Sequence, residues 1–308
     1  MSPMTWTPDQ IPDLTGKRML VTGVTSGIGT QTAWELAARG AEVVLAARSR
    51  AKLALTRAQI EEAVPGARLH DLLVDLSEMS SVRRAADQAR DLGPLDVLVN
   101  NAGVMAPPYT RTGDNFELTL ATNHFGPFLL TGLLMDQLAA SGRGRVVTVA
   151  SQAHRMARRA PLTDPRRQVG RYSRWNAYAE SKLANLLTMF ELDRRLRAAG
   201  TPVISVAAHP GYAATELMGA GRAAGGERRG AILQGVFQLF GQPPSMGAWP
   251  TLMAATAALP GSTYVGPDSF VQLRGNPKNV GATRLARDPV VAAQLWDLSE
   301  RATGIVYP

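Results

Sequence analysis

The sequence predicts an α/β fold: one domain with a doubly wound, mostly parallel seven-stranded sheet and helices on both faces. Three observations support this prediction. Between residues 17 and 207, short apolar runs alternate with stretches of helical length, which is typical of βαβ units. No linker or internal repeat interrupts the pattern. The chain has 308 residues, 45% of them hydrophobic and 19% charged, which is enough to bury a substantial core.

Each strand is predicted where a short apolar run stands between turn residues, and each helix where a longer stretch ends at glycine or proline. The predicted strands are residues 18–22, 42–47, 68–74, 95–99, 144–150, 202–207 and 264–265. The predicted helices are residues 27–38, 50–63 and 79–91, a helical region ending at 140, a helix containing Tyr178 that ends near 199, and residues 231–240, 246–258 and 288–303. Residues 1–16 are expected to form an N-terminal extension, and residues 17–308 the domain.

The composition excludes several functional classes. The chain has no cysteine, which excludes disulfides, thiolate catalysis and cysteine-ligated zinc and fits a reducing compartment. The start of the chain has neither the basic nor the apolar region of a signal peptide. No apolar run reaches the roughly 18 residues that a membrane span needs. We therefore expect a cytoplasmic protein without a transmembrane segment.

The net charge of +8 is concentrated in one segment. Seven arginines and a single acid lie between Arg155 and Arg174, and the rest of the chain is nearly balanced. A nucleic-acid module would spread its basic residues along a motif helix or among stacking aromatics, so no nucleic-acid partner is expected. The segment 155–175 is predicted to be a basic insertion. It is either solvated or binds an acidic substrate handle, such as coenzyme A or a phosphopantetheine group.

A glycine-rich turn lies between the first predicted strand and the first helix, where a dinucleotide pyrophosphate is held in doubly wound folds. It reads Thr22-Gly-Val-Thr-Ser-Gly-Ile-Gly29. Glycines let the backbone approach the phosphates, and the helix N-terminus offers free N–H groups. The turn predicts nucleotide binding through Gly23, Thr25, Ser26, Gly27, Ile28 and Gly29.

The end of the second strand indicates which cofactor is bound. An NAD site has a carboxylate there for the ribose 2′-hydroxyl, whereas a 2′-phosphate requires a cation. The sequence has no acid at this position and places Arg48 and Arg50 there. This favours NADP(H), bound through Arg48, over NAD(H).

Tyr178 and Lys182 lie four residues apart in the helix after the basic segment, so both side chains occupy one helical face. A neighbouring cation favours the phenolate form and is expected to lower the pKa of the tyrosine toward the range of a general acid/base. The pair alone is weak evidence, because such spacings are common by chance.

With the turn and the Tyr178/Lys182 pair, further motifs follow in order: Asp75, Asn100-Asn-Ala-Gly103, Asn123, Ser151 and Pro210-Gly211. Together they resemble a classical short-chain dehydrogenase/reductase, over residues 17 to about 215, and details resemble its retinol-dehydrogenase-like branch. The resemblance implies a Rossmann-type domain that transfers hydride between a nicotinamide cofactor and a substrate carbon. It also implies a homodimer or homotetramer.

The resemblance assigns roles to matching residues. Tyr178 would exchange a proton with the substrate oxygen, Ser151 would hydrogen-bond that oxygen, and Lys182 would hold the nicotinamide ribose and depress the tyrosine pKa. Asn123 would hold a water that continues a proton relay through Lys182. Hydride transfer to a carbonyl builds negative charge on oxygen, which an acid and a hydroxyl donor stabilise. The remaining cofactor residues implied are Asp75, Leu76, Asn101, Ala102, Gly103, Pro210, Gly211 and Thr215.

Candidate substrate residues are His154, Tyr212 and Leu217. The four histidines lack metal-ligand spacing, and no metal is expected.

Residues 212–245 are predicted to be a substrate lid whose apolar helix indicates a lipophilic small molecule, although membrane-surface or subunit contact would explain the same residues. The predicted function is an NADP(H)-dependent oxidoreductase that interconverts a carbonyl and an alcohol. The alternative is a catalytically silent Rossmann regulator that senses NADP(H).

Overall fold

The computed structural model describes residues 5–164, 171–211, 243–269 and 271–308. Its centre is an eight-stranded sheet of order β3-β2-β1-β4-β5-β6-β7-β8, in which β1 to β7 are parallel and β8 is antiparallel. The strands are β1 (Arg18–Thr22), β2 (Glu42–Ala47), β3 (Arg68–Leu73), β4 (Val97–Asn100), β5 (Arg145–Val149), β6 (Ile204–Ala208), β7 (Tyr264–Pro267) and β8 (Pro277–Asn279). The predicted doubly wound sheet is confirmed.

Helices cover both faces of the sheet. They are α1 (Gly27–Ala38), α2 (Arg50–Ala63), α3 (Met79–Arg90), α4 (Leu118–Leu120), α5 (Gly126–Leu133), α6 (Met135–Ala140), α7 (Arg174–Ala198), α8 (Pro244–Thr256) and α9 (Pro289–Thr303). A π-helical turn (Ala121–Phe125) joins α4 to α5, and a 3₁₀ helix (Gln152–Met156) follows β5. Buried residues of α1, α2 and α8 form the core on one face, and those of α3, α5, α7 and α9 pack on the other.

The strands form because their residues can be buried on both sides, as parallel sheets require. In β1, Leu20 belongs to the core of the α3/α5 face, whereas its neighbours Met19 and Val21 belong to the core of the α1/α8 face. The register pairs Leu20 with Val44 in β2, and Val44 lies in the same core as Leu20. Apolar residues in continuous runs therefore fill two hydrophobic layers at once.

The structure differs from the prediction at the sheet edge. The sheet has an eighth strand, because Pro277–Asn279 pairs antiparallel with β7. In the N-terminal extension, Trp6, Ile11 and Leu14 are buried in the core that contains α1. The predicted helix 231–240 and most of the predicted lid lie outside the described residues. No helix within the described ranges has the length and apolarity needed to cross a bilayer.

The strand order places the candidate site. The chain runs from β1 outward to β3 on one side and returns to β4 on the other, so the carboxyl ends of β1 and β4 form the topological switch point. Ligands of doubly wound folds bind at this point. The turn after β1, Asn101 to Gly103 after β4 and Ser151 after β5 all lie along this edge.

Candidate active site

The turn after β1 has a backbone that only glycine accommodates easily. Gly23 has a φ of +73°, in the left-handed region, and a Cβ built on it would lie 2.8 Å from Ala102 Cα. A Cβ on Gly29 would overlap the Gly23 carbonyl oxygen. The turn and the first residues of α1 are thus packed backbone against backbone, which leaves the opposite side of the turn open to a ligand.

The N-terminus of α1 is suited to bind an anion. Its N-cap Ser26 makes no side-chain capping bond, and its first turn contains no acidic residue. The helix therefore keeps free N–H groups and the partial positive charge of its dipole. The loop itself is held by Thr30, whose Oγ1 donates to the Val24 carbonyl at 2.7 Å. Thr25 and Ile28 lie in this same turn. These residues fit the pyrophosphate of a dinucleotide.

Residues after β4 hold the turn in place. The Asn101 and Ala102 N–H groups each donate to Thr22 Oγ1 at 3.0 Å, and Asn101 Nδ2 donates to the Thr22 carbonyl at 2.7 Å. Gly103 lies beside the catalytic candidates, because a Cβ built on it would be 3.1 Å from Asn123 Oδ1. Predicted cofactor residues from two loops are thereby brought together.

Arg48 stands at the end of β2, exposed to solvent. Within the described residues its guanidinium has no hydrogen bond or ion pair, so its charge is available to a ligand. Asp75 follows β3, and its Oδ1 accepts from the Ser77 N–H and hydroxyl at 2.9 and 2.6 Å. Leu76 is buried. The predicted contact of Asp75 with the adenine and the predicted cofactor binding of Leu76 stay predictions.

Three catalytic candidates meet where β5 ends beside α7. The Ser151 side chain lies close enough to the Tyr178 hydroxyl to favour its phenolate form, and Ser151 Oγ accepts the Ala153 N–H at 3.1 Å as the N-cap of the 3₁₀ helix. Lys182 Nζ lies 5.9 Å from the centre of the Tyr178 ring and donates to the Val149 carbonyl at 2.9 Å. The helical spacing of four residues thus puts the phenol and the ammonium on one side of the site.

The electrostatics differ from the sequence-based expectation. Burial raises the pKa of Tyr178, and the hydrogen bond from Ser151 opposes this rise. Burial also lowers the pKa of Lys182 from 10.5 to about 8. In the protein alone, desolvation of the phenolate therefore outweighs the expected effect of the ammonium, and Tyr178 is held in its neutral, proton-donating form.

Asn123 lies in the π turn and is fixed by three contacts. Its side chain forms a pair of hydrogen bonds with the Val104 backbone, at 2.8 and 3.0 Å, and Nδ2 also donates to Ser181 Oγ at 3.0 Å. Ser181 in turn donates to the Tyr178 carbonyl at 2.8 Å. The π turn is thus tied to the part of α7 that carries the tyrosine.

Comparison with known proteins agrees with this arrangement. Residues 17–163 match the model of the short chain dehydrogenase family. Human retinol dehydrogenase 13 is 36% identical over 295 residues, covering 95% of this chain and 86% of that protein. Mouse polyprenol dehydrogenase is 39% identical over 308 residues, covering 96% and 87%. The structure of an uncharacterized protein from Mycobacterium paratuberculosis superimposes with a TM-score of 0.81 at 40% identity, covering 99% and 100%.

The chain belongs to the short-chain dehydrogenase family. Its members are oxidoreductases that act on alcohols and carbonyls with a nicotinamide cofactor. The predicted resemblance, including its retinol-dehydrogenase-like character, is confirmed.

His154, a candidate substrate residue, lies in the core of this short-chain dehydrogenase. It is fully buried, with Nδ1 2.7 Å from the Ser151 carbonyl oxygen and Nε2 3.4 Å from the Thr283 nitrogen, and burial lowers its pKa. This geometry favours a role in supporting the Ser151 turn over contact with substrate. His209 is also buried, within reach of Gln152, and precedes Pro210.

The turn at Pro210-Gly211 packs closely against the loop after β7. Gly211 has a φ of +67°, and a Cβ on it would overlap the Leu273 carbonyl oxygen in that loop and lie 2.8 Å from Cγ of Pro267, the last residue of β7. Tyr212, Thr215 and Leu217 follow this turn but lie outside the described residues. Their predicted contacts with substrate and cofactor stay predictions.

Part of the basic insertion of this short-chain dehydrogenase is held in place. Arg155 donates to Gln152 Oε1 at 2.7 Å and to the Gly281 carbonyl at 2.9 Å, and Arg159 pairs with Glu180 at 3.3 Å. Leu162 packs against the core. A fully solvated loop does not describe these residues. Arg166 and Arg167 lie outside the described residues, so an acidic substrate handle stays a prediction.

Sequence reasoning missed three residues around Asn123: Ser181, Asn185 and Pro127. Asn185 Nδ2 donates to the Asn123 carbonyl at 3.1 Å. Two sequence signals could have identified them. Ser181 and Asn185 are polar residues within one helical turn of Lys182, and Pro127 is a proline four residues after Asn123.

Proposed function

We propose that this short-chain dehydrogenase uses NADP(H) to interconvert a carbonyl and an alcohol on a lipophilic small molecule, with Tyr178 as the general acid/base. The observation that carries the proposal is the placement of Tyr178 next to Ser151 at the end of β5, with Lys182 buried beside them. Two hydroxyl groups at one point can both bind a single substrate oxygen. They lie on the same sheet edge as a turn that is suited to a dinucleotide.

The residues present fit a dinucleotide. The glycine turn at Gly23 and Gly29 leaves no room for side chains, and the α1 N-terminus keeps free N–H groups. When bound there, the nicotinamide supplies or accepts the hydride. Residues 23 and 25–29 would hold the pyrophosphate, Asp75 the adenine end, and Lys182 the ribose.

The protein residues have complementary tasks in reduction. The neutral Tyr178 donates its phenolic proton to the substrate oxygen, on which negative charge develops. Ser151 donates a second hydrogen bond to that oxygen and orients it. The Lys182 ammonium adds positive charge to the site and stabilises the phenolate that remains after the proton has left. In oxidation the same groups act in the reverse order.

NADP(H) is proposed over NAD(H) because Arg48 has a free guanidinium in the described residues and no carboxylate follows β2. A 2′-phosphate beside Arg48 would gain a charge-assisted hydrogen bond.

A lipophilic substrate is proposed because retinol and polyprenol dehydrogenases are similar over nearly the whole chain. Exposed apolar side chains also lie near Ser151. Met156 is 61% exposed in the 3₁₀ helix after Ser151, and Leu273 is next to Gln272, which bonds Gln152.

The test measures NADPH oxidation with a panel of apolar and polar ketones and aldehydes. Tyr178→Phe should remove turnover by at least about a hundredfold, the usual contribution of general acid catalysis, while NADPH binding is retained. An unchanged rate in Tyr178→Phe would refute the role of the phenol.

Arg48→Ala should raise the KM for NADPH about tenfold or more and leave the KM for NADH unchanged, with Arg50→Ala as the control for charge alone. Equal effects on both cofactors would refute NADP(H) selectivity through Arg48.

A further inference from the structure

The carbonyl of Asn123 lacks the donor that a regular α-helix would give it, because of the sequence that follows. In a regular α-helix the N–H of residue 127 would donate to the carbonyl of residue 123, but residue 127 is a proline and has no N–H. The backbone widens into the π turn Ala121–Phe125 just before this proline, and α5 begins with Gly126-Pro127. Such single π turns inside helices are frequent at functional sites.

Asn185 takes the place of the missing donor. Its Nδ2 donates to the Asn123 carbonyl at 3.1 Å, and the residue is only 5% exposed. Asn185 stands one turn after Lys182 in α7, which also carries Tyr178. One rigid helix thus supplies the proton donor, the ammonium and the group that holds the Asn123 carbonyl.

The other end of the Asn185 amide has no protein partner in the described part of the chain, and Asn185 lines a small cavity. Asn185 Oδ1 has no hydrogen-bond partner among the described residues, and neither do Asn100 Oδ1, Thr188 Oγ1 and the Tyr307 hydroxyl. All four residues line one cavity of about 20 Å³. Buried polar groups in native proteins are paired, and a cavity of this size with several polar groups has room for a water. The polar lining therefore suits an ordered water that accepts or donates to these groups.

We propose that Asn185 is a positioning residue for the reaction: its amide donates to the Asn123 carbonyl, which Pro127 deprives of its regular helical donor, and an ordered water in the adjoining cavity binds the other end of that amide. The proposal rests on the proposed function. Asn123 Oδ1 and Lys182 Nζ lie 3.1 and 3.6 Å from one common point, the Cβ position built on Gly103. Fixing the backbone of Asn123 therefore fixes a residue whose side chain lies close to that ammonium. Among the described residues, Asn185 is the only residue of α7 whose side chain donates a hydrogen bond to this carbonyl. A variant that lacks the amide would therefore lose this contact between α7 and the π turn.

Two variants of Asn185 and one control test this. Asn185→Leu keeps the branched shape and the number of side-chain heavy atoms and removes the donor. Asn185→Asp keeps the shape, and its carboxyl can donate to the carbonyl only when protonated. Leu196→Ala, further along α7 in the apolar core, lowers stability without touching the π turn.

We expect kcat to fall about tenfold in Asn185→Leu, as for loss of one buried hydrogen bond, with the KM for NADPH nearly unchanged. The ratio of kcat in Asn185→Asp to kcat in the wild type should rise as the pH falls, because the carboxyl can donate only when it is protonated. The corresponding ratio for Asn185→Leu should not change with pH. Leu196→Ala should keep the wild-type kcat although its melting temperature is lower. Wild-type kcat in Asn185→Leu, or an equal loss of kcat in Leu196→Ala, would overturn the proposal.

Hydrogen exchange gives a readout that is independent of turnover. Amides of the segment 119–128 should exchange faster in Asn185→Leu than in Leu196→Ala when the two are compared at equal unfolding free energy. Equal exchange in both variants would overturn the proposal. If the wild type fails to oxidise NADPH with any substrate, the proposed function is refuted, and the exchange measurement still decides whether Asn185 holds the turn.

Discussion

Buried histidines make the stability of this protein sensitive to mild acid. His124, in the π turn, and His209, before Pro210, are almost fully buried, and burial lowers the pKa of each from 6.5 to about 3. The unfolded chain therefore binds protons below pH 6.5 that the folded chain does not bind until about pH 3. Folding stability is complete above pH 6.5 and is lost as the pH falls from 6.5 toward 3.

The size of the effect follows from linkage. Between pH 7.5 and 5.5, one histidine with these two pKa values removes about 1.4 kcal/mol from the free energy of unfolding. His124 and His209 together remove about 2.7 kcal/mol, and His154, whose pKa is also lowered by burial, adds to the loss. This is a large share of the roughly 5–15 kcal/mol by which domains are stable.

The assay is urea unfolding followed by tryptophan fluorescence at pH 7.5 and 5.5. His124→Gln can still donate to Ser299 Oγ, which lies 2.7 Å from His124 Nε2, but it cannot titrate. It should lose about 1.4 kcal/mol less than the wild type between the two pH values. Ser299→Ala removes the same hydrogen bond and keeps the imidazole, so it should be less stable at both pH values with the wild-type pH dependence. A wild-type pH dependence in His124→Gln would refute the reasoning.

Two further predictions concern the cofactor turn and the buried ammonium. Gly29→Ala should abolish the thermal shift produced by NADP⁺, because its Cβ would overlap the Gly23 carbonyl, whereas Gly113→Ala, with open space around it, should keep that shift. A normal shift in Gly29→Ala would show that the turn does not hold the cofactor. Lys182→Met should raise the melting temperature of the cofactor-free protein by a few degrees while removing activity, since a pKa lowered from 10.5 to about 8 corresponds to about 3 kcal/mol of unfavourable burial. A lower melting temperature would show that the bond to Val149 outweighs that burial.

The sheet and most helices could be predicted from the sequence because their signals are local. The predicted β2 and α2 coincide residue for residue with Glu42–Ala47 and Arg50–Ala63. A continuous apolar run marks the strand, and Ser49, which accepts the Lys52 N–H, caps the helix. In contrast, β8 has no apolar alternation. It is a strand because β7 offers a free edge, and that edge is a property of the assembled sheet.

The candidate site also has residues that could be predicted from the sequence and features that could not. The glycine turn could be predicted from its position between a strand and a helix, and Ser151, Tyr178 and Lys182 from the family resemblance that the ordered motifs carry together. The role of Asn185 could not be predicted, since it depends on the packing of α7 against the π turn that contains Asn123. The raised pKa of Tyr178 was also missed, because the degree of burial of a side chain is decided by the packing around it.

That raised pKa gives the two directions of the reaction opposite pH dependences. Reduction needs the neutral phenol as a proton donor, which burial favours, so its kcat should stay level through neutral pH and fall only in alkaline solution. Oxidation needs the phenolate as a base, so its kcat should rise with pH over the same range. The measurement is kcat in both directions from pH 6 to 10 at saturating cofactor and substrate. A fall in the oxidative kcat with rising pH would contradict Tyr178 as the group that moves the proton.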